Sequence, residues 1–458
     1  MFAEALKRLP KEPEPIGKGE YVERQQRLFS TFNHNDLLLI PAPKESTHSN
    51  DVHYRYRTSS DLLYLTGWTE PESIFVARWD ENISEWKSIL FVQPKNTLME
   101  IWEGRRPGIE GAKKDFPVNE AYSIDEFDQY IEEFLETTQR VFLRTGLLSS
   151  IDKTVMDAIQ KRDRKRQHFG TGPTCIEDPS QTLAELRLIK SSNEINQMRY
   201  AAQVSSLAHE LAMRTRQTNL NERHLQSIIE GFFTYASCSG WSYPSIVGCG
   251  ENATILHYRE NNADCKDGEV VLIDAGSEYR GYAADITRSW PVSGTFTDAQ
   301  RKIYEIVLKS QEAAISACIV GNPYTAPHEA ARRVLAEGLI EIGVIDQSID
   351  EALDMDKGEL KKWYMHNTSH WIGLDVHDVG TYKPNGEPRK LEAGMVLTIE
   401  PGLYFGAWRP DVACPEEFAD LGIRIEDDVL ITEEGPEVLT RDCPKDIATL
   451  ESIIGQGM

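Results

Sequence analysis

The sequence predicts an α/β protein of two domains, the second of which consists of two similar halves. The chain has 458 residues, more than a single hydrophobic core usually organises. Extended apolar segments alternate with helical ones over residues 20–170, and this alternation is typical of an α/β domain. Beyond residue 178, two helices followed by two strands occur twice. We therefore predict domains at residues 1–175 and 176–458.

The first predicted domain combines short strands with helices. The apolar segments 37–41 and 88–92 are predicted strands, and residues 124–137 form a predicted helix. A basic stretch at 161–166 leads into Gly-Thr-Gly-Pro at 170–173. Glycine and proline at this density indicate a linker to the second domain.

The first half of the second domain begins with a capping signal. Glu194 follows Ser191 by three residues, which predicts a capping box at the start of a long helix. A second helix is predicted over 221–237. Strands are predicted over 269–275 and 282–291, separated by glycine and polar residues.

The second half repeats this order. The segment Thr-Asp-Ala-Gln at 297–300 is another capping box, and its helix is predicted to end near Gly321. A helix over 327–343 and strands over 395–399 and 422–431 complete the half.

Charge excludes two classes of partner. The formal net charge is −24, from 73 acidic and 49 basic side chains. Such a surface repels phosphate backbones and anionic lipids, so we expect no nucleic-acid partner and no membrane partner. No apolar run approaches the roughly 20 residues of a transmembrane helix, and residues 1–15 lack the apolar core of a secretory signal.

The cysteines indicate a reducing compartment. The seven cysteines contain no CxxC pair, and an odd number cannot close into a full set of disulfides. We therefore expect the protein to be cytoplasmic.

Two carboxylates mark the strands of the first half. The apolar run 270–273 leads directly into Asp274, and a carboxylate at the end of a buried strand is costly unless it is paired or binds a metal. Asp285 follows within Ala-Ala-Asp-Ile-Thr at 283–287. This spacing fits two strands joined by a short turn, with the two aspartates facing each other.

Two glutamates occupy matching positions in the second half. Glu400 follows the strand at 395–399 directly. In the strand at 422–431, alternation places Arg424 and Glu426 on one side. Taken singly, Asp274 could cap a turn and Glu426 could pair with Arg424.

The four acids, one on each of four strands in two matched hairpins, are predicted to converge. Four carboxylates in one place repel each other, and two divalent cations would balance their charge. Oxygen ligands suit Mn²⁺ or Mg²⁺, and an added imidazole favours Mn²⁺, Co²⁺, Fe²⁺ or Zn²⁺.

Histidines supply candidate imidazoles. His366, His370 and His377 fall within one short segment, and His257 lies upstream. The spacing of four between His366 and His370 would suit one face of a helix, although Gly373 and β-branched neighbours weaken a helix there. Each histidine alone could equally be a core or surface residue.

These segments together resemble the pita-bread metallopeptidases of family M24, and among them the bacterial aminopeptidase P group. The resemblance rests on LIDAG at 272–276, GYAADITR at 281–288, SHWIGLDVHD at 369–378, TIEPGLY at 398–404 and IRIEDD at 423–428. YRYR at 54–57, YLTGW at 64–68 and EIWEGRR at 100–106 are similar to that group's N-terminal domain. The resemblance implies a creatinase-like N-terminal α/β domain and a pita-bread catalytic domain with pseudo-twofold symmetry.

The resemblance also implies the roles of individual residues. Two divalent ions, expected to be Mn²⁺, would be held by Asp274, Asp285, His370, Glu400 and Glu426, with Asp285 and Glu426 bridging. Residues with catalytic roles would be His257, His366, His377, Glu400 and Arg424. Substrate-binding residues would be Tyr404, Trp102 and Asp51, with Trp102 reaching a neighbouring subunit of a homo-oligomer, either a dimer or a tetramer.

The implied reaction is removal of the N-terminal residue from peptides with proline at the second position. A hydroxide generated between the two ions would attack the carbonyl before proline, with Glu400 taking its proton and His366 or His377 stabilising the oxyanion. Prolidase, which cleaves Xaa-Pro dipeptides with the same ligand set, is the nearest alternative. Methionine aminopeptidase, creatine amidinohydrolase and a metal-free binding protein of this fold are more remote alternatives.

Overall fold

The computed structural model describes residues 1–216 and 219–457, apart from the side chain of Phe169. The chain divides into two compact units. We call residues 15–187 the N-terminal unit, and residues 1–14 together with 188–458 the C-terminal unit. The division at 187/188 lies beyond the predicted boundary at 175/176, because residues 175–177 still pair with the sheet of the N-terminal unit. The C-terminal unit also includes the first helix, α1 (Phe2–Leu6).

The N-terminal unit has a six-stranded sheet in the order β6-β5-β4-β1-β7-β8. Its strands are β1 (Asp36–Pro41), β2 (Thr47–Ser49), β3 (Val52–His53), β4 (Ile74–Asp80), β5 (Glu85–Val92), β6 (Glu120–Ser123), β7 (Arg140–Phe142) and β8 (Cys175–Glu177). Its helices are α2 (Lys18–Phe29), α3 (Ser60–Thr66), α4 (Thr97–Glu103), α5 (Gly108–Asp115), α6 (Phe127–Phe134), α7 (Ser149–Asp163) and α8 (Arg166–Phe169), and α9 (Ser180–Leu188) ends at the unit boundary. The strands predicted at 37–41 and 88–92 and the helix predicted at 124–137 are confirmed as β1, β5 and α6.

The C-terminal unit places helices around several small sheets. Its helices are α10 (Ser192–Arg214), α11 (Glu222–Tyr235), α12 (Asp298–Ser316), α13 (Ala326–Glu341), α14 (Ile349–Ala352) and α15 (Ile447–Ile453). Its strands are β9 (Gly240–Trp241), β10 (Ile246–Cys249), β11 (Val270–Asp274), β12 (Ser277–Tyr279), β13 (Tyr282–Ala283), β14 (Thr287–Pro291), β15 (Val396–Ile399), β16 (Gly402–Phe405), β17 (Leu421–Arg424), β18 (Asp427–Thr432) and β19 (Gly435–Val438). The sheets have the orders β10-β11-β14, β13-β12-β9, β15-β18-β19 and β16-β17.

Both predicted capping boxes are present. The Ser191 hydroxyl accepts from the backbone N–H of Glu194, whose carboxylate accepts from the N–H of Ser191 at 2.9 Å. Thr297 and Gln300 make the same reciprocal pair at the start of α12. Such pairs satisfy amide donors that the first turn of a helix leaves free.

The predicted strands at 282–291 and 422–431 are each interrupted. In the first, β13 and β14 belong to different sheets, and in the second β17 and β18 do so as well. Asp285 and Glu426 lie at these interruptions, so the prediction of one acid on each of four strands is wrong. Of the four acids only Asp274 lies within a strand, because the chain leaves one sheet and enters the next where the other three carboxylates are placed.

The histidine-rich segment forms no helix. His366 and His370 lie in irregular structure, and the neighbouring Trp371 makes an isolated bridge to Leu397 of β15. The helical alternative is therefore wrong, and a backbone contact with β15 holds this segment instead.

The cysteines contain a pair that their scattered spacing did not indicate. Cys249 and Cys265 form a disulfide, with their Cα atoms 5.3 Å apart. Within the described part of the chain, no helix is both long enough and apolar enough to cross a membrane.

Candidate metal centre

The two halves of the C-terminal unit carry their acids to the same place by the same backbone arrangement. In the first half, β11 pairs antiparallel with β14, and Asp274 lies opposite Thr287. In the second half, β15 pairs antiparallel with β18, and Ile399, directly before Glu400, lies opposite Asp427. Each half therefore presents a carboxylate where its central strand ends.

The donor atoms of the predicted ligands come close together. One ligand atom each from Asp285, His370 and Glu426 lie within 4.8 Å of one another. The Nε2 atom of His370 is 3.5 Å from Asp285 Oδ2 and 3.6 Å from Glu400 Oε1. Asp274 is linked to Asp285 through the Tyr243 hydroxyl, which contacts a carboxylate oxygen of each.

The carboxyl groups of this cluster are buried close together, so they need nearby positive charge to be ionised together. Burial, with the neighbouring Asp285 and Glu400 carboxylates, raises the pKa of Glu426 well above its usual range. Burial raises the pKa of Glu400 to about 8 and that of Asp274 to about 6. Burial opposes the charge of His370. The hydrogen bond that its imidazole donates to Asp285 and the negative charge of Glu400 nevertheless raise the pKa of His370 to about 9.

The residues present fit a pair of divalent cations. His370 Nδ1 is 3.0 Å from the carbonyl oxygen of Trp371. Nδ1–H therefore donates to this carbonyl, and Nε2 faces the carboxylates. Without a metal Nε2 holds a second proton, and a cation that replaced this proton would be bound through Nε2, the orientation usual for a metal-binding imidazole. Crowded carboxylates that resist joint ionisation are stabilised when cations replace protons between them. Four oxygen ligands and one nitrogen suit Mn²⁺, Co²⁺, Fe²⁺ or Zn²⁺.

Arg424 connects the two halves across this cluster. Its Nη2 donates to Asp274 Oδ2 at 2.7 Å and its Nε to the Thr287 hydroxyl at 3.0 Å. The Thr287 hydroxyl in turn donates to Glu426 Oε2 at 2.7 Å. The guanidinium of one half thus holds a carboxylate of the other half and orients a carboxylate of its own.

Hydrogen bonds define which ring nitrogen of His366 carries the proton. Its Nδ1 is 2.8 Å from the carbonyl oxygen of Asn367, and its Nε2 is 2.8 Å from the Tyr404 hydroxyl. Arg424 donates to that hydroxyl at 3.0 Å. Because Nδ1–H donates to a carbonyl, Nε2 is an acceptor, and this imidazole offers no second N–H to a substrate.

A cavity of 810 Å³ opens onto the acids. His257, His366 and His377 line it together with the five predicted metal ligands, whereas Tyr404 reaches the site through His366 and Arg424. Burial lowers the pKa values of His257 and His377, so both are neutral near pH 7. The predicted catalytic-domain residues are therefore brought to one place.

The other two predicted residues belong to the N-terminal unit. Asp51 is exposed, and the side chain of Trp102 in α4 is 84% exposed. Their assignment to substrate stays a prediction.

Three residues near the acids were not predicted. Thr287 and Asp428 lie inside motifs that signalled the site, and Asp428 accepts a hydrogen bond from the backbone N–H of Asp285 at 3.1 Å. Burial and the charge of Asp285 raise the pKa of Asp428 well above its usual range. Tyr243 carried no signal, because its contact with Asp274 and Asp285 arises only from folding.

The fold and the site together define a metallopeptidase whose centre is shared by two halves of one unit. Residues 196–433 match the model of "Metallopeptidase family M24", and residues 21–142 match "Aminopeptidase P, N-terminal domain". The chain belongs to metallopeptidase family M24. This confirms the resemblance and the two-part fold inferred from the motifs.

Full-length relatives agree with this assignment. The chain is 38% identical to Xaa-Pro aminopeptidase of Haemophilus influenzae over 96% of this chain and 98% of that one. It is 39% identical to Xaa-Pro aminopeptidase of Escherichia coli with the same coverage. The solved structure of Pseudomonas aeruginosa aminopeptidase PepP superposes with a TM-score of 0.91, at 38% identity over 96% of this chain and 98% of that one. A zinc-substituted aminopeptidase P of E. coli in complex with product has the same TM-score, identity and coverage.

Proposed function

We propose that this chain is an Xaa-Pro aminopeptidase that releases the N-terminal residue from peptides with proline at the second position. The observation that carries the proposal is the complete set of four carboxylates and one imidazole assembled across the two halves. Relatives of the same length, similar over nearly the whole chain, bear this name. The expected partners are therefore peptides with a penultimate proline.

In this proposal two divalent ions, expected to be Mn²⁺, are held by Asp274, Asp285, His370, Glu400 and Glu426. When bound, they lower the pKa of water and polarise the peptide carbonyl. Asp285 and Glu426, which lie at the two strand interruptions, would be among the ligands of these ions. The roles of the chain's own groups follow from their contacts.

Glu400 is proposed to accept the proton of the water that attacks the peptide carbonyl. Glu400 lines the cavity with the other acids, and a carboxylate that a cation keeps ionised can accept a proton from the attacking water. His366 is engaged by Asn367 and Tyr404, so His377, neutral and lining the cavity, is the imidazole proposed to donate to the oxyanion.

The leaving nitrogen is that of proline, and because it belongs to a tertiary amide it has no N–H to donate. Recognition must therefore rest on the shape of the ring and on the free N-terminus. We propose that the cavity wall around Val376 and His377 receives the pyrrolidine ring.

A homotetramer is part of the proposal. The α4 side chains of Leu98, Ile101 and Trp102 are 71%, 73% and 84% exposed, and apolar exposure on this scale favours burial in an interface. Trp102, supported by Asp51, would reach the substrate of a neighbouring subunit. Light scattering of the purified protein measures the assembly, and a monomer would contradict it.

A cytoplasmic location is also proposed, and the disulfide offers its test. Reducing compartments keep most thiols reduced. Because both cysteines are buried, cells are quenched in acid and the denatured protein is alkylated, which should label Cys249 and Cys265 if the protein is cytoplasmic. A pair protected from alkylation would contradict the location.

The activity is tested by hydrolysis of Ala-Pro-Ala and of Ala-Pro, side by side with Mn²⁺, and with a chelator as control. Cleavage of the tripeptide that the chelator abolishes, with little cleavage of the dipeptide, is the expected result. Preference for the dipeptide would make the enzyme a prolidase. Cleavage of neither would contradict the proposed function.

A further inference from the structure

One loop brings His257 to the cavity. It comprises residues 249–265, here called the His257 loop, and connects β10 to β11. Its ends are joined by the Cys249–Cys265 disulfide. His257 and the preceding Leu256 both line the cavity. The position of the imidazole in the cavity therefore depends on what holds this loop.

A buried carboxylate lies against the inside of the loop. Glu222, the first residue of α11, is 0% exposed. Its Oε1 accepts from the backbone N–H of Cys249 at 2.8 Å and from the Asn252 amide at 3.0 Å. Its Oε2 accepts from the Tyr258 hydroxyl at 2.9 Å and from the backbone N–H of Ala263 at 2.9 Å. One side chain thus bonds the loop at four points along its length.

The charge of Glu222 suits this role. None of its four partners is a cation, so the carboxylate is stabilised by its four donors and by the positive end of α11. A carboxylate accepts at both oxygens, whereas a glutamine amide accepts at only one. Only an acid can therefore receive all four bonds, and no step of the proposed chemistry uses it.

The contact is transmitted to His257 through its two neighbours. Tyr258 is anchored at its hydroxyl by Glu222 and packs in a buried cluster with Leu272 and Tyr404. Leu256, which precedes His257 in the chain, packs against the same cluster. The histidine backbone is thus held between two fixed residues.

We propose that Glu222 is a positioning residue for His257: it sets the loop so that the imidazole meets the substrate at the metal centre. The predicted effect on peptide cleavage rests on the proposed function. The predicted effect on loop order does not.

The first test is a double-mutant cycle. Displacement of a working group by about 1 Å can cost up to about 100-fold, so we expect Glu222→Gln to lower kcat/KM for Ala-Pro-Ala by about 10- to 100-fold. His257→Ala is expected to cost about 100-fold by itself. If Glu222 acts through His257, adding Glu222→Gln to His257→Ala should cost no more than about twofold, because coupled residues are not additive. Additive losses would overturn the proposal.

The disulfide provides a matched control on the same loop. Cys249→Ser/Cys265→Ser removes the cross-link but leaves all four bonds to Glu222 in place. We expect a lower unfolding temperature and a kcat/KM within about twofold of wild type, since a cross-link acts mainly on the unfolded chain. A loss as large as that of Glu222→Gln would show that the cross-link places His257, which would overturn the proposal.

Hydrogen–deuterium exchange tests the loop without any activity. Glu222→Gln should speed exchange in residues 249–265 and leave β11, which ends at Asp274, and β15, which ends just before Glu400, protected. Faster exchange throughout the C-terminal unit would mean a general structural role and would overturn the proposal. If Glu222→Gln does not fold, Tyr258→Phe removes the single bond nearest His257, and the same local pattern is expected on a smaller scale. A wild-type protein that cleaves no proline peptide would refute the proposed function, while the exchange measurement would still decide the role of Glu222.

Discussion

The two halves of the C-terminal unit place their acids alike but surround them differently. In the first half, the Asp274 carboxylate accepts hydrogen bonds from Arg424 and Tyr243. The hydrogen bond and charge of His370, although burial opposes them, hold the pKa of Asp285 below its usual range. In the second half, burial and neighbouring acids raise the pKa values of Glu400 and Glu426.

The difference shows that backbone symmetry does not impose electrostatic symmetry. The first half presents an aspartate that is ionised near neutral pH, whereas the glutamates of the second half need added positive charge to ionise.

The largest expected effect tests the ionised aspartate at the interruption of the first half. Asp285→Asn removes the negative charge of one of the five proposed ligands, so we expect loss of both metals and a fall in kcat/KM on the order of 10³-fold or more. Metal content by mass spectrometry and tripeptide cleavage measure it. Asp267→Asn, an exposed change in the same unit, should retain both ions. An Asp285→Asn protein with two ions and full activity would contradict the arrangement.

A smaller effect is expected at the link between the halves. Arg424→Lys keeps the charge but cannot reach Asp274, Thr287 and Tyr404 together. Groups that orient metal ligands typically contribute 10- to 100-fold, so we expect metal affinity and kcat/KM to fall by about that factor. Titration with Mn²⁺ followed by calorimetry measures the affinity. Unchanged affinity would show that the halves are held together without this guanidinium.

The smallest effects concern two histidines, one on a helix of each half. His209 of α10 contacts the Ala275 carbonyl, and His328 of α13 contacts the Thr368 hydroxyl. Burial lowers the pKa of each to about 4. Between the two pKa values the unfolded chain binds a proton at each histidine that the folded chain does not bind. The contribution to the free energy of unfolding is therefore full above the pKa of the unfolded state and falls as the pH drops towards 4.

A shift of this size corresponds to about 3 kcal/mol for the fully buried His209 and to less for the partly exposed His328. Urea unfolding between pH 7 and pH 4 measures the loss in wild type, His209→Gln and His328→Gln, with the exposed His168→Gln as control. His209→Gln should flatten the pH dependence more than His328→Gln. Equal slopes in all four proteins would contradict the assignment.

Much of the fold could be predicted because its signals are local. The capping boxes at Ser191 and Thr297 lie within single turns, and the apolar runs before Asp274 and Glu400 are contiguous. The interruptions at Asp285 and Glu426 could not be predicted in this way. A strand that changes sheets keeps the same alternation of side chains, and only its partner strands differ.

The sequence by itself determined the family, the five candidate ligands and the duplicated order of helices and strands. Each of these was recognised from short motifs whose residues are adjacent in the chain. Tertiary structure alone decided that the Thr287 hydroxyl meets Glu426, that Tyr243 joins two aspartates, and that Glu222 holds the His257 loop. These contacts join residues 31 to 139 positions apart. Such distant groups meet only when the packing of the whole unit brings their strands and helices together, and no local pattern encodes that packing.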